Sequence, residues 1–298
     1  MVTLPDPLVA PLLRLVGMNR PFISADGARK RLQENTLRPA AYGPPKRLRG
    51  DVRVDVVQDR HWPVYTVTPT ATERPAGSLV YAHGGGWVNQ IVSFHWRLIA
   101  DIAAEAGVVV TVPIYPLVPY GNAAQTQDRV VELVKSTIGT YGPTCLAGDS
   151  AGGQIALSVA LQLRDEGITL PMTTLISPAL DLTFSNPRIP EVQPTDPWLG
   201  TEGVTVFAEA WRGELPMTDP AVSPLFGDLT GLGPLTVFIG SRDILNPDAR
   251  LLLQRARNAG VDITFREKAG QVHVYPLLPT RIGRAASREV VESIRRAL

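Results

Sequence analysis

The stretch that most constrains this chain is Thr144 to Gly153, Thr-Cys-Leu-Ala-Gly-Asp-Ser-Ala-Gly-Gly. Apolar residues run into Gly148-Asp149-Ser150-Ala151-Gly152, and an apolar helical pattern from Gln154 to Arg164 follows at once. Ser150 is therefore predicted on a tight turn between a buried strand and a buried helix, with its hydroxyl standing out from the end of a sheet. Small residues two before and two after the serine let such a strained turn pack against its neighbours. A glycine-flanked serine is weak alone and gains meaning only from partners elsewhere.

The surrounding pattern supplies a fold. Arg53 to Asp59 and Pro63 to Thr68 read as an antiparallel pair joined at His61-Trp62. Six short, mostly apolar runs then suit buried strands: Ser78 to His83, Val108 to Ile114, Thr144 to Ala147, Met172 to Ser177, Leu235 to Gly240 and Asp262 to Arg266. Helical periods fall between most of them, at Ser93 to Ala106, Asn122 to Ile138 and Gln154 to Arg164, with a last one from Arg281 to Ala297. Asn246-Pro247-Asp248 reads as the N-cap and first turn of a further helix that stops at Gly260. Strands alternating with helices imply an α/β fold, an eight-stranded, mostly parallel sheet with helices on both faces and a crevice at the carboxyl ends of the strands.

Two regions break the alternation. Residues 1–50 are rich in Pro and Arg with helical fragments such as Ala25 to Leu37, and residues 184–223 form a long excursion holding one helix near Val204 to Trp211. The expected division is an N-terminal cap segment 1–50, a core of 51–183 and 224–298, and a cap insertion 184–223. Leu8, Leu12, Leu13, Leu15 and Val16 could form one short amphipathic helix, read either as packed on the domain or as touching a substrate entrance or lipid.

Composition excludes several classes. Of 298 residues 44% are hydrophobic and 19% charged, too apolar for disorder. Basic and acidic residues nearly balance, 29 against 28, without a dense basic cluster, so neither nucleic acid nor an anionic membrane is an expected partner. Cys145 is the only cysteine, which rules out an intrachain disulfide and a thiolate metal site, and no metal is expected. Pro5, Pro7, Pro11 and Arg14 interrupt the apolar N-terminus, so no integral membrane segment is expected and a reducing cytoplasm fits best. The oligomeric state is open, a homodimer included.

Partners for Ser150 are found in chain order. His83-Gly84-Gly85-Gly86-Trp87 follows a strand, and its glycines can turn backbone N–H groups toward a developing negative charge. Of four histidines, His61 falls in a hairpin, His83 opens the glycine loop, and His95 begins a helix, where packing or capping suits it. His273 sits just beyond the last predicted strand, at the edge where Ser150 emerges. Asp243 follows the penultimate strand and reaches the same edge, whereas Asp248 is assigned to satisfying N–H groups in the first turn of the next helix. Ser150, Asp243, His273 is the order expected of this fold.

With Ser177-Pro178-Ala179-Leu180-Asp181-Leu182 and Ser223-Pro224-Leu225 added, these motifs resemble the hormone-sensitive-lipase-like branch of the α/β-hydrolases from about Val52 to the C-terminus. The resemblance implies a carboxylesterase acting without a cofactor on small-molecule esters of short to medium acyl chains, beneath a helical cap. It implies an oxyanion hole from the N–H groups of Gly85, Gly86 and Ala151, a structural role for His83, and support of the turn by Asp149. Trp87 is assigned to the wall of the acyl pocket, with core packing as the equal alternative. The same triad would also serve an amidase or deacetylase, and the fold admits small ligands bound without turnover. One departure stands out: the family's Tyr-Arg-Leu-Ala-Pro-Glu is here Tyr115-Pro116-Leu117-Val118-Pro119-Tyr120, which removes a charged pair from the active-site edge.

Overall fold

The computed structural model describes residues 3–15, 17, 19–37 and 40–298. Eight strands form one sheet: β1 (Val52–Asp59), β2 (Trp62–Pro69), β3 (Ser78–Ala82), β4 (Val109–Pro113), β5 (Thr144–Asp149), β6 (Thr173–Ile176), β7 (Leu235–Gly240) and β8 (Ile263–Lys268), in the spatial order β1-β2-β4-β3-β5-β6-β7-β8. β1 and β2 pair antiparallel through a tight turn in which Arg60 and His61 both take positive φ. Such a turn matches the twist of a hairpin. β2 also runs antiparallel to β4, and every later pairing is parallel. The mostly parallel sheet expected from the buried apolar runs is therefore present.

Ten helices accompany it among the described residues: α1 (Val9–Leu15), α2 (Arg20–Ile23), α3 (Ala25–Leu37), α4 (Ser93–Ala106), α5 (Ala123–Tyr141), α6 (Ala151–Asp165), α7 (Ile189–Val192), α8 (Thr201–Arg212), α9 (Asn246–Asn258) and α10 (Arg281–Ala297). Alternate residues of a strand face opposite ways, and the two faces collect different helices. Leu79 and Tyr81 of β3 pack with Ile99 of α4 and Val290 of α10, whereas Val80 and Ala82 pack with Val130 of α5, Ile155 of α6 and Leu252 of α9. β5 is covered on both sides, which is why Thr144 to Asp149 are buried throughout.

The two irregular regions distribute themselves in a way their composition did not reveal. Residues 19–37 meet the insertion: α8 packs on α2 and α3, Phe22 stacks edge-on against Phe207 at 5.6 Å, and Gly200 N–H donates to the Phe22 carbonyl. Gly203 has no room for a side chain, because a Cβ there would stand 2.4 Å from the Phe22 backbone. Tyr42 and Leu48 pack instead on the α4 and α10 face, where the Trp96 indole donates to the Tyr42 carbonyl. In α1, Val9 and Leu13 are buried against Val272 and Leu278, while Leu12, Leu15 and, just before the helix, Leu8 are exposed. The apolar face is thus narrower than the sequence period suggested, and Val16 lies outside the described residues.

α9 also departs from expectation. It begins at Asn246, with Leu245 in the capping position, so Asn246 is already helical. Asp248 does not cap. It is buried, accepts a hydrogen bond from the Asn186 amide at 2.8 Å, and burial above all pushes its carboxyl up to about 6.

The α8 packing carries a measurable consequence. Phe207→Ala removes a fully buried ring from the junction of α8 with α2 and should destabilise the protein by about 3 to 5 kcal/mol. The loss is read from urea unfolding, and a variant within 1 kcal/mol of wild type, on that same scale, would mean that this junction is not packed in solution.

Candidate active site

The turn at Ser150 holds the reactive geometry by close packing. Ser150 has φ 52° and ψ −118°, a backbone state that costs an ordinary residue about 1 to 3 kcal/mol. Its neighbours leave no alternative: a Cβ on Gly148 would lie 2.1 Å from the Gly152 carbonyl oxygen, and one on Gly152 would lie 2.0 Å from that of Ala82. The Ser150 N–H donates to the Ile176 carbonyl of β6 at 2.8 Å, which anchors the turn to the sheet.

His273 and Asp243 come to this turn as expected. The hydroxyl oxygen of Ser150 lies 2.9 Å from His273 Nε2, and His273 Nδ1 lies 2.8 Å from Asp243 Oδ2. A carboxylate can only accept, so Nδ1 carries the proton and Nε2 is left to accept from the serine. The other oxygen of Asp243 accepts the Leu245 N–H at 3.0 Å. His273 is buried, and burial alone would lower its pKa. The Asp243 carboxylate, by charge and hydrogen bond, with weaker help from Asp196 and Asp149, outweighs this and raises it above the ordinary histidine value.

The loop bearing His273 is held from behind by a residue whose motif was visible but whose role was not. Val274 sits in the left-handed region at φ 46°, and its N–H donates to Ser177 Oγ at 2.9 Å. Ser177 is itself at φ 47°, and Trp87 in the glycine loop is at φ 57°. Strained backbone is thereby gathered around Ser150, where the fold fixes side-chain direction.

Asp149 ties the glycine loop to the serine turn. Its Oδ1 accepts the Tyr81 phenol at 2.8 Å and the Gly84 N–H at 2.9 Å, and its Oδ2 lies 3.2 Å from His95 Nε2. The Val92 N–H donates to His95 Nδ1 at 3.0 Å, so Nε2–H is the ring's donor to Asp149. His95 therefore caps α4, as its position suggested, and also supports Asp149. Burial pushes the Asp149 carboxyl up, but His95 and the bonds from Tyr81 and Gly84 outweigh it and hold it below the usual range.

Gly84 spends its N–H on Asp149, whereas Gly85 and Gly86, at φ 128° and 61°, have no protein acceptor for theirs among the described residues. Ala151 opens α6, so its N–H has no acceptor within the helix. His83 is fully buried, with Nδ1 2.7 Å from the Gly84 carbonyl, its ring stacked on Tyr115 at 4.5 Å and its carbonyl accepting the Tyr115 phenol at 2.7 Å. Burial lowers its pKa to about 4. With Val118 N–H donating to the Trp87 carbonyl, the segment that lacks the family's charged pair braces the loop through neutral bonds.

Trp87 is buried. Its indole N–H donates to Gln154 Oε1 at 3.2 Å, which also accepts the Trp211 indole at 2.9 Å, and the two rings stack at 5.8 Å. Gln154 in turn donates to the Ala221 carbonyl at 2.7 Å. One buried amide thus joins glycine loop, α6 and α8, a role that a lone glutamine in an apolar helix does not announce. Phe22 lies against Gly86, where a Cβ would meet its ring at 2.7 Å, and Trp198 edges His273 at 5.8 Å. Among the described residues no group of three or more His, Cys, Asp or Glu side chains is placed to hold a metal ion, and no helix is long and apolar enough to cross a membrane.

Residues 79–277 match the Abhydrolase_3 family, of the α/β-hydrolase fold. The chain is 32% identical over 233 residues to an acetyl-hydrolase of Streptomyces hygroscopicus, covering 76% of this chain and 77% of that one. It is 31% identical over 278 residues to a triacylglycerol lipase of Mycobacterium tuberculosis, covering 91% of this chain but spanning only 59% of that protein. A crystal structure of an esterase from the bacterial hormone-sensitive lipase family superimposes with a TM-score of 0.80 at 27% identity, covering 100% of this chain and 99% of that one. The chain belongs to the α/β-hydrolases, in their hormone-sensitive-lipase-like branch.

The Asp149 network can be tested through its donors. Asp149→Asn sets an NH2 group against the His95 N–H and should cost about 1 to 3 kcal/mol at pH 7. Because the wild-type carboxyl is held low, its advantage is complete above the unfolded carboxylate value of about 4 and disappears only as pH falls through the lower folded value. Urea unfolding at neutral and acid pH checks this; a deficit that vanished by pH 6, above the unfolded value, would contradict it.

Proposed function

We propose that the protein is a serine carboxylesterase that hydrolyses short to medium acyl esters through an acyl-enzyme, with Ser150 as nucleophile, His273 as base and Asp243 as its orienting acid. The observation that carries this reading is the continuous hydrogen-bonded line from Ser150 through His273 to Asp243, at 2.9 and 2.8 Å. His273 Nε2 takes the hydroxyl proton as Ser150 Oγ attacks the ester carbonyl carbon, and Asp243 stabilises the imidazolium. The N–H groups of Gly85, Gly86 and Ala151 receive the oxyanion. Collapse of the tetrahedral adduct breaks the bond to the alcohol oxygen, which leaves with the proton from His273. Water then repeats the sequence on the acyl-enzyme, releasing the acid and restoring Ser150.

In the same reading α2, α3 and α8 form the cap over the carboxyl edge of the sheet. Phe22 at Gly86 and Trp198 at His273 bring large rings to the glycine loop and to the base, which favours small acyl groups, as does the likeness to an acetyl-hydrolase. Trp87 belongs to the support of the glycine loop, behind the acyl pocket.

On a p-nitrophenyl series from acetate to laurate, kcat/KM should be highest for the shorter chains, and Ser150→Ala should lose at least about 10⁴-fold. An optimum at laurate would contradict the substrate assignment, and persistence of turnover in Ser150→Ala would remove the nucleophile.

The pH profile gives a second check. Neutral imidazole is the working form, so activity rises as pH climbs through the His273 value, and because that value is raised the acid limb of kcat/KM should have its midpoint above about 6.5. A midpoint below 6, on the wrong side of that ordinary value, would be incompatible with the paired imidazole.

A further inference from the structure

The segment between β6 and β7 carries a buried carboxylate that the catalytic cycle above does not use. Asp196 accepts the N–H groups of Trp198 and Leu199 with Oδ1, at 2.8 and 3.0 Å, and the N–H of Ile244 with Oδ2 at 2.9 Å. The first pair lies on its own segment. The third belongs to the residue after Asp243, so one side chain clamps two loops. A second bond runs alongside, from Arg242 Nε to the Thr195 carbonyl at 3.1 Å. The turn that Asp196 builds presents the Trp198 ring edge-on to His273, with the planes at 85°.

We propose that Asp196 is a positioning residue for the acid and base of the hydrolytic site: it fixes the Asp243 loop and the Trp198 indole, and adds a second negative charge behind His273. The proposal rests on the reading of Ser150, His273 and Asp243 as the triad. A buried carboxylate next to another buried carboxylate is disfavoured by desolvation and like-charge repulsion, so a purely structural clamp would be better made by a neutral side chain. Burial first, and the charge of Asp243 second, push Asp196 up to about 6 against the pull of its three N–H donors. The charged groups that bear on His273 are Asp243 on the β7 loop, Asp196 on the insertion and Asp149 at the end of β5, all of which favour the imidazolium. On Asp196 itself the Asp243 charge acts upward, and the His273 imidazolium, by the reciprocal of its own interaction with Asp196, acts downward.

The experiment compares Asp196→Asn with wild type in kcat, KM and the kcat/KM profile from about pH 5 to 9, spanning the ordinary histidine value, on p-nitrophenyl butyrate, with Ser150→Ala alongside. Asparagine keeps one acceptor oxygen and removes the charge. The expected result is a loss of kcat of about 10- to 100-fold with KM nearly unchanged, and an acid limb moved down by about half a unit or more, because the imidazolium has lost a stabilising charge. A folded variant whose limb is unmoved overturns the proposal while leaving the triad intact. Turnover by Ser150→Ala would overturn the triad reading and the proposal with it. If Asp196→Asn does not fold, the downfield Nδ1 proton of His273 in the wild-type NMR spectrum decides. It should report two titration steps, its own and that of Asp196 near 6, and a single step overturns the proposal.

Discussion

The first turn of α6 and the end of β3 approach so closely that no side chain fits between them, and much of the site follows from that contact. With Gly152 pressed on the Ala82 carbonyl and Gly148 on the Gly152 carbonyl, the chain can leave β5 and enter α6 only by the strained turn that Ser150 occupies. The turn then has two outcomes at once. It aims the hydroxyl away from the sheet, and it frees the Ala151 N–H at the head of the helix. Widening the contact would relax the serine and lose both.

Buried charge is the second constraint, and the molecule spends it sparingly. Asp149, Asp196 and Asp243 are each buried with almost no solvent, and each is compensated by directed donors rather than by a lysine or arginine. Backbone N–H groups and packed rings cannot move far, so the negative field they hold in place is fixed with respect to His273. A flexible cation would neutralise that field. On the proposed reading, holding these carboxylates without a lysine or arginine keeps that field available to the imidazolium formed during proton transfer. At the glycine loop, too, the Tyr115 phenol and the Val118 N–H brace the chain through neutral bonds.

Sequence alone reached the sheet, the longer helices and the two side chains that meet Ser150, because each depends on local pattern. Buried strands read as short apolar runs, helices as a 3.6-residue period, and the positions of Asp243 and His273 as the first residues past strand ends. What it could not reach depends on partners far along the chain. Asp196 meets Ile244 48 residues on, and Gln154 meets Trp211 57 residues on. Asp248 was misread because its place in a first turn implies capping, whereas Asp243 already satisfies the Leu245 N–H just before the helix. Residues 1–50 were one compositional region, but their described parts cover three different surfaces, since proline and arginine content says nothing about which surface each piece covers.

The connections between cap and site follow from where the insertion leaves the sheet. It departs after β6 and returns before β7, the strand that leads to Asp243, so its ends are tied to the catalytic edge whatever its middle does. Gln154 links its helix to the glycine loop, and Asp196 links its approach to the acid loop. A displacement of α8 would therefore reach both the glycine loop and the loop that carries Asp243. On the proposed reading, the helices over the site and the loops that carry its side chains share the same buried bonds, and a cap altered to admit a larger ester would have to preserve the Gln154 and Asp196 contacts to keep the site assembled.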